Sequence, residues 1–278
     1  MRIFLTGILL FTASFGFSQT LEFVWETDSL FDKPESAVFD GKKQVIYVSN
    51  VNGQYCTKDG NGFISKVDLD GNILELNWAT GLNSPQGLAL YGNKLYVADV
   101  DEIMEIDVDQ EEIINKYKID GAKFLNDAAS DKSGNIFVSD CKGNKIYKLE
   151  NNHVDIWSEN PVLKGVNGLY CAEQNLFVLN MGTGIIYKVD YQTKEFSEFS
   201  SGIKNCDGIV PDGENGFFVS GAWQGECYHI NSSGEKSLIL NLGEEKTIVA
   251  DIDYVPEKQM LLVPTLHKTL MAYKWNKK

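Results

Sequence analysis

Residues 126–140 read NDAASDKSGNIFVSD. A polar pair opens this stretch, small and apolar residues follow, Ser133-Gly134 marks a tight turn, and an apolar run closes it. That order predicts two short antiparallel strands joined by a hairpin. Five more copies lie along the chain: ESAVFDGKKQVIYVSN from Glu35, QGLALYGNKLYVAD from Gln86, NGLYCAEQNLFVLN from Asn167, DGIVPDGENGFFVSG from Asp207 and DIDYVPEKQMLLVPT from Asp251. The copies start 51, 40, 41, 40 and 44 residues apart, a period that suits four short strands per blade of a β-propeller. Further tight turns fall at Asp40-Gly41, Gly92-Asn93 and Asp212-Gly213.

A third strand follows in every copy (FISKVDL, IMEIDV, KIYKLE, GIIYKVD, ECYHIN, LMAYKW), and a fourth completes five of them. The sixth copy has only Asn276, Lys277 and Lys278 left after LMAYKW, while LEFVWE at Leu21–Glu26 precedes the first copy. An all-β, six-bladed β-propeller follows, its last blade closed by the N-terminal strand, which removes an open sheet edge. It forms a single domain over residues 19–278. The one long interval comes from NVNGQYCTKDGNG, residues 50–62, between the second and third strands of the first blade.

The beginning of the chain has the marks of an export leader. Arg2 supplies a positive start, residues 3–15 are mostly apolar, and Gly16 and Ser18 are small. This predicts a signal peptide over residues 1–18, with a buried N-terminal strand as the alternative. No Cys follows the apolar run, so no lipid anchor is expected, and the run is short for a membrane span. The mature chain is expected to be periplasmic or secreted, monomeric and without a membrane anchor. A net charge of −14 argues against nucleic acid and anionic lipid as partners. Of the five cysteines, Cys171 falls in a strand predicted to be buried, and the sequence does not choose partners for a disulfide.

The innermost strand of each blade lines the central channel, so the residues opening the six copies converge on one axis. They are Glu35, Gln86, Asn126, Asn167, Asp207 and Asp251, all carboxylates or carboxamides. Hard oxygen donors without thiolate or imidazole suit Ca²⁺, with Mg²⁺ and Mn²⁺ as alternatives. Several carboxylates in one channel would repel each other without a cation. The competing reading is a water-filled polar channel whose Asn and Asp side chains cap strand ends.

At these residues the chain resembles the senescence marker protein, gluconolactonase and luciferin-regenerating family of six-bladed propellers, with diisopropyl fluorophosphatase and the paraoxonases as more distant relatives. The resemblance runs from about Glu35 to Thr265 and is carried by PESAVFD, NDAASDKSG, VNGLY and CDGIVPD. It implies Glu35, Asn167 and Asp207 as metal ligands, with Asn126 a ligand or a substrate contact. The chain departs from the family pattern in having Ser-Ala after Glu35, Ala after Asn126-Asp127, and Phe124-Leu125 where some lactonases place a basic residue. The last difference argues against a polyhydroxy sugar lactone.

The expected activity is metal-dependent hydrolysis of a small lactone or related ester, with Asp207 as base or nucleophile and Asp251 as a further acid. Gln86, Asn126, Trp223 and His267 are expected to contact substrate, beside Tyr55, Cys141 and Met181 on the loops joining second to third strands. His267 is a candidate proton shuttle, whereas His153 and His229 lie on outer strands. No GxSxG elbow, HExxH helix or phosphate loop is present, so serine hydrolase, zincin and nucleotide chemistry have no support. The rival expectation is a non-catalytic propeller that binds a ligand or protein and uses the metal structurally.

Overall fold

The computed structural model describes residues 20–276; the expected signal peptide at residues 1–18 lies outside the described residues. Six four-stranded antiparallel sheets form the blades of a propeller. Blade 1 runs Pro34–Asp40, Val45–Asn50, Gly62–Val67 and Ile73–Leu82 from axis to rim, and blades 2 to 5 repeat that order. Blade 6 takes Asp253–Val255, Met260–Pro264 and Leu270–Asn276 from the C-terminal end and Thr20–Glu26 as its outermost strand. The closing strand pairs antiparallel from Thr20↔Asn276 to Glu26↔Met271. Trp25 secures it further by donating its indole N–H to the Leu69 carbonyl of blade 1 at 3.0 Å.

The alternating apolar residues of each blade pack against both neighbours. Six cores result, one per blade junction, such as Tyr47, Ile64, Leu95 and Met104 between blades 1 and 2. Acidic residues close many hairpins: Asp40, Asp107, Asp131, Asp190 and Asp212 each accept backbone N–H groups from the turn that follows. Part of the acidic excess is therefore turn chemistry.

Two recurring devices shape the channel end of the blades. At the end of the second strand, Asn50, Asp99, Asp140 and Asn180 accept backbone N–H groups from the loop that enters their own blade's first strand. Asp140 is the most heavily used of these. Its fully buried carboxylate takes the N–H groups of Lys123 at 2.9 Å, Phe124 at 3.0 Å and Gly143 at 2.7 Å. Asp140→Ala leaves three donors without their acceptor, and a urea titration is expected to show about 3 kcal/mol of lost stability.

The second device is a β-bulge repeated in blades 1 to 5. Between Pro34 and Ala37, Pro85 and Leu88, Leu125 and Ala128, Val166 and Leu169, and Cys206 and Ile209 the first strand holds two residues where its partner holds one. A bulge breaks the alternation and re-aims the side chains within it. The bulged residues are the ring positions and their successors. In three blades a buried serine of the second strand accepts the successor's N–H: Ser49 from Ser36, Ser139 from Asp127 and Ser220 from Gly208.

Candidate metal and substrate site

The bulges divide the channel lining into two levels. Glu35, Gln86, Asn126, Asn167 and Asp207 line a cavity of about 220 Å³ at one mouth. Asp127, Asp251 and Asp253 face a second cavity of about 380 Å³ at the opposite mouth. Five of the six expected ring residues are therefore gathered, and Asp251 is not among them.

In blade 6 the regular innermost strand starts only at Asp253; ahead of it the Ala250 N–H bonds the Pro264 carbonyl at 2.9 Å, so that Asp251 and Ile252 stand opposite Val263. Asp251 makes a single parallel bridge to Ser36, donates its N–H to the Glu35 carbonyl at 2.9 Å, and accepts the Ser36 hydroxyl at 2.6 Å. Its carboxylate is thus held on the far side of the ring. In the first cavity blade 6 contributes Leu266 instead.

Within the ring, Glu35 and Asn126 are 4% and 6% exposed, yet among the described residues Glu35 Oε2 and Asn126 Oδ1 have no hydrogen-bond partner. Buried oxygens are seldom left in that state. Asn167 Nδ2 donates to Asp207 Oδ1 in close contact, and Gln86 Nε2 is held by the Ser84 carbonyl at 3.2 Å. Close backbone approach explains the glycines beside the ring. A Cβ on Gly168 would collide with the Asp207 carbonyl, and one on Gly208 with Asp251 and Ile252.

Three buried carboxyls, Glu35, Asp127 and Asp207, share this axis with the half-buried Asp251. Burial raises Glu35 well above the ordinary carboxylate range, and Asp207, Asp251 and Asp127 raise it further. Asp207 is pushed up to about 7 by burial, against the lowering bond from Asn167. Asp127 reaches about 8 through burial, although the N–H groups of Leu169 and Ala128 bond it and oppose the shift. Asp251 is raised by burial and by Asp127. Uncompensated like charge in a buried channel is what a cation relieves.

The donor set fits a hard cation. Among the described residues no three His, Cys, Asp or Glu side chains are arranged to hold a metal. The two ring carboxylates therefore need carboxamide oxygens to complete a shell, and the unpartnered Asn126 oxygen is one such donor. Oxygen donors of mixed charge suit Ca²⁺.

Above the ring the walls are mostly apolar: Tyr55, Phe124, Met181, Ala222, Trp223 and Leu266. Lys142 is the cation of the lining, 5.1 Å above the Phe124 ring. Cys141 also lines the wall, its thiol pushed up to about 11 by burial and by Asp207. His267, expected to contact substrate, lies outside this lining. The left-handed backbone at Leu266 (φ 54°) turns that residue inward, and His267 Nε2 instead meets the Lys246 carbonyl at 3.2 Å. His153 is exposed beside Asp155, and His229 stacks on Trp275 and bonds Asp212 at 2.9 Å, so neither reaches the cavity. Cys171, expected in the core, is half-buried, packs against the core between blades 3 and 4, and borders the opposite mouth.

The sequence reading missed Asp127, Lys142 and Leu266 as parts of the two channel mouths. For Asp127 a signal was present: the position after each ring residue is Ser, Gly, Asp, Gly, Gly and Ile, and one carboxylate stands out among small and apolar residues.

No protein-family model matches the chain, and no curated protein matches it in sequence. Solved structures match its fold. A gluconolactonase from Xanthomonas campestris superposes with a TM-score of 0.69 at 16% identity, covering 89% of this chain and 88% of that one. A catalytically inactive histidine-to-alanine variant of virginiamycin B lyase from Staphylococcus aureus, with quinupristin, gives a TM-score of 0.64 at 12% identity, covering 93% and 100%. A chain of a nidogen/laminin complex gives 0.64 at 16% identity, covering 79% and 84%. At these identities the likeness establishes the six-bladed fold and no more.

Proposed function

We propose that this chain is a calcium-dependent hydrolase of small lactones or related esters that carry an apolar alkyl or aryl group. The observation that carries the reading is the pair of unpartnered buried oxygens, Glu35 Oε2 and Asn126 Oδ1, beside Asp207 at the floor of an apolar-walled cavity. Glu35, Asn126, Asn167 and Asp207 would hold the cation. When bound, it supplies positive charge to the substrate carbonyl as a Lewis acid.

The rest is work for the chain's own groups. Asp207, oriented by Asn167, accepts the proton of the attacking water or attacks the carbonyl carbon itself. Gln86 and Asn126 offer amide contacts to the ester, and Tyr55, Phe124 and Trp223 hold the apolar group and exclude water. Phe124 stands where a sugar-binding base would be expected, which favours alkyl and aryl groups over polyhydroxy ones. The likeness to a gluconolactonase supports the reaction class. The lyase neighbour loses activity with a histidine, and among the described residues no histidine lines this cavity, so imidazole chemistry is not our reading. In this reading the expected leader over residues 1–18 would direct the chain to the periplasm or the medium.

The test is hydrolysis of a panel of alkyl lactones, aryl esters and sugar lactones, with calcium and with chelator. Calcium-dependent turnover of the apolar members supports the proposal. Calcium binding without turnover across the panel sinks it and leaves the binding propeller, a reading the nidogen/laminin likeness favours. Trp223 is 55% exposed at the cavity rim, so Trp223→Ala is expected to raise KM for an aryl ester about tenfold with kcat little changed. Steady-state kinetics separates the two parameters.

A further inference from the structure

We propose that Cys56 and Cys141 are a disulfide pair that fastens a strap across the mouth of the cavity. Residues 51–61 leave blade 1 between its second and third strands and contact blades 2 and 3. Lys58 grips Asp101, in the corresponding loop of blade 2, at 2.5 Å. Further along the ring, Lys142 of blade 3 reaches Cys56 with Nζ 3.2 Å from Sγ. Cys141 is the residue before Lys142 and lines the cavity, as does Tyr55 on the strap. Three blades are thus spanned by one loop, with a thiol on each side of its far contact.

The other cysteines are placed where they cannot pair. Cys206 lies in the core between blades 4 and 5 and Cys227 in the core between blades 5 and 6, on opposite faces of one sheet. Cys171 borders the opposite mouth of the channel. A bridge needs Cα atoms within about 7 Å and facing Cβ atoms, which those three do not meet without rebuilding a blade.

All five cysteines are thiols in this structure. Closure is thiol–disulfide exchange with an external small disulfide. The Cys56 thiolate, beside the Lys142 ammonium, attacks one sulfur of the reagent and releases one thiolate. The Cys141 thiolate then attacks the mixed disulfide and releases the second. Two protein thiols are oxidised, one external disulfide is reduced to two thiols, and the two protons given up by the protein thiols end on the two released thiolates.

Folded protein is incubated with excess oxidised glutathione, then denatured, tagged with a maleimide and mapped by mass spectrometry. The expected result is the loss of two of the five thiols, found in one linked Cys56–Cys141 peptide. Cys56→Ser and Cys141→Ser are each expected to lose none. Five tagged thiols in the wild type, or a linked peptide containing Cys171, Cys206 or Cys227, would overturn the pairing.

The effect on access rests on the hydrolase reading and is measured separately, as the rate at which a chelator strips bound calcium. The oxidised form is expected to release it about tenfold more slowly, with the rate restored by a reducing thiol. Equal rates would overturn the closing role. A chain that binds no calcium in either state would overturn the metal reading, while the thiol map still decides the bridge.

Discussion

Asp207→Asn is expected to lower kcat/KM for an apolar lactone about a thousandfold. The change keeps the size of the side chain and an oxygen toward the ring. It removes one charge and the proton acceptor. Asp207 is buried, contacts Asn167 directly, and lies in the same cavity as the unpartnered oxygens of Glu35 and Asn126. Asp251→Asn is the matched control. Its carboxylate bonds Ser36 and belongs to the opposite cavity, so its effect on turnover is expected to stay within about tenfold. Kinetics of both variants at saturating calcium checks the pair. Equal losses would mean that the two levels of the channel do not divide the work as their bonding suggests. A Asp207→Asn enzyme with nearly full activity would remove Asp207 from the chemistry.

The second large effect is on stability. Glu35, Asp127, Asp207 and Asp251 all stand above the ordinary carboxylate range, chiefly because they are buried. In the unfolded chain such groups titrate near pH 4. Between that pH and their folded values, the metal-free folded state holds protons that the unfolded state has lost. Stability from this source is complete below about pH 4 and falls as pH rises through about 7 and 8, where Asp207 and Asp127 give up their protons. The melting temperature in EDTA is therefore expected to drop by roughly 10 °C between pH 5 and pH 8. Saturating calcium should abolish most of that slope, because the cation takes over the role of the protons. Differential scanning calorimetry across the range decides the point. A metal-free melting temperature that is flat or rises over this interval would show that the four carboxyls do not repel as the channel implies.

How much of this was legible beforehand differs from residue to residue. Glu35, Gln86, Asn126, Asn167 and Asp207 could be found because they open copies of a repeat, and a repeat carries position as well as composition. Asp251 opens a copy too, but it lies ahead of the regular ladder of blade 6 and is held by the Ser36 hydroxyl and the Glu35 carbonyl of blade 1, contacts that leave no mark in residue spacing. Asp127 was hidden for the opposite reason. Simple alternation turns the neighbour of a channel residue into the blade, whereas the bulge keeps both on the axis. The extra length of residues 51–61 was evident, but its reach over two further blades is set by Lys58–Asp101 and Lys142–Cys56 contacts between distant parts of the chain. His267 was placed in the correct loop and on the wrong side of it, a difference made by one backbone angle at Leu266.

The strand that closes blade 6 has a consequence for the order of events during folding. Thr20–Glu26 is synthesised first and finds its partner last, since Leu270–Asn276 must exist before it can pair. Just past its end, Thr27 Oγ1 accepts the Leu270 N–H across 243 residues. Closing so long a loop costs only slightly more than closing a shorter one, but it postpones circularisation until five blades are already in register. The joint made last is also the one place where two strands meet without a covalent hairpin between them. It is therefore where the ring is expected to part first when the protein opens, as a clasp parts before the links of its chain.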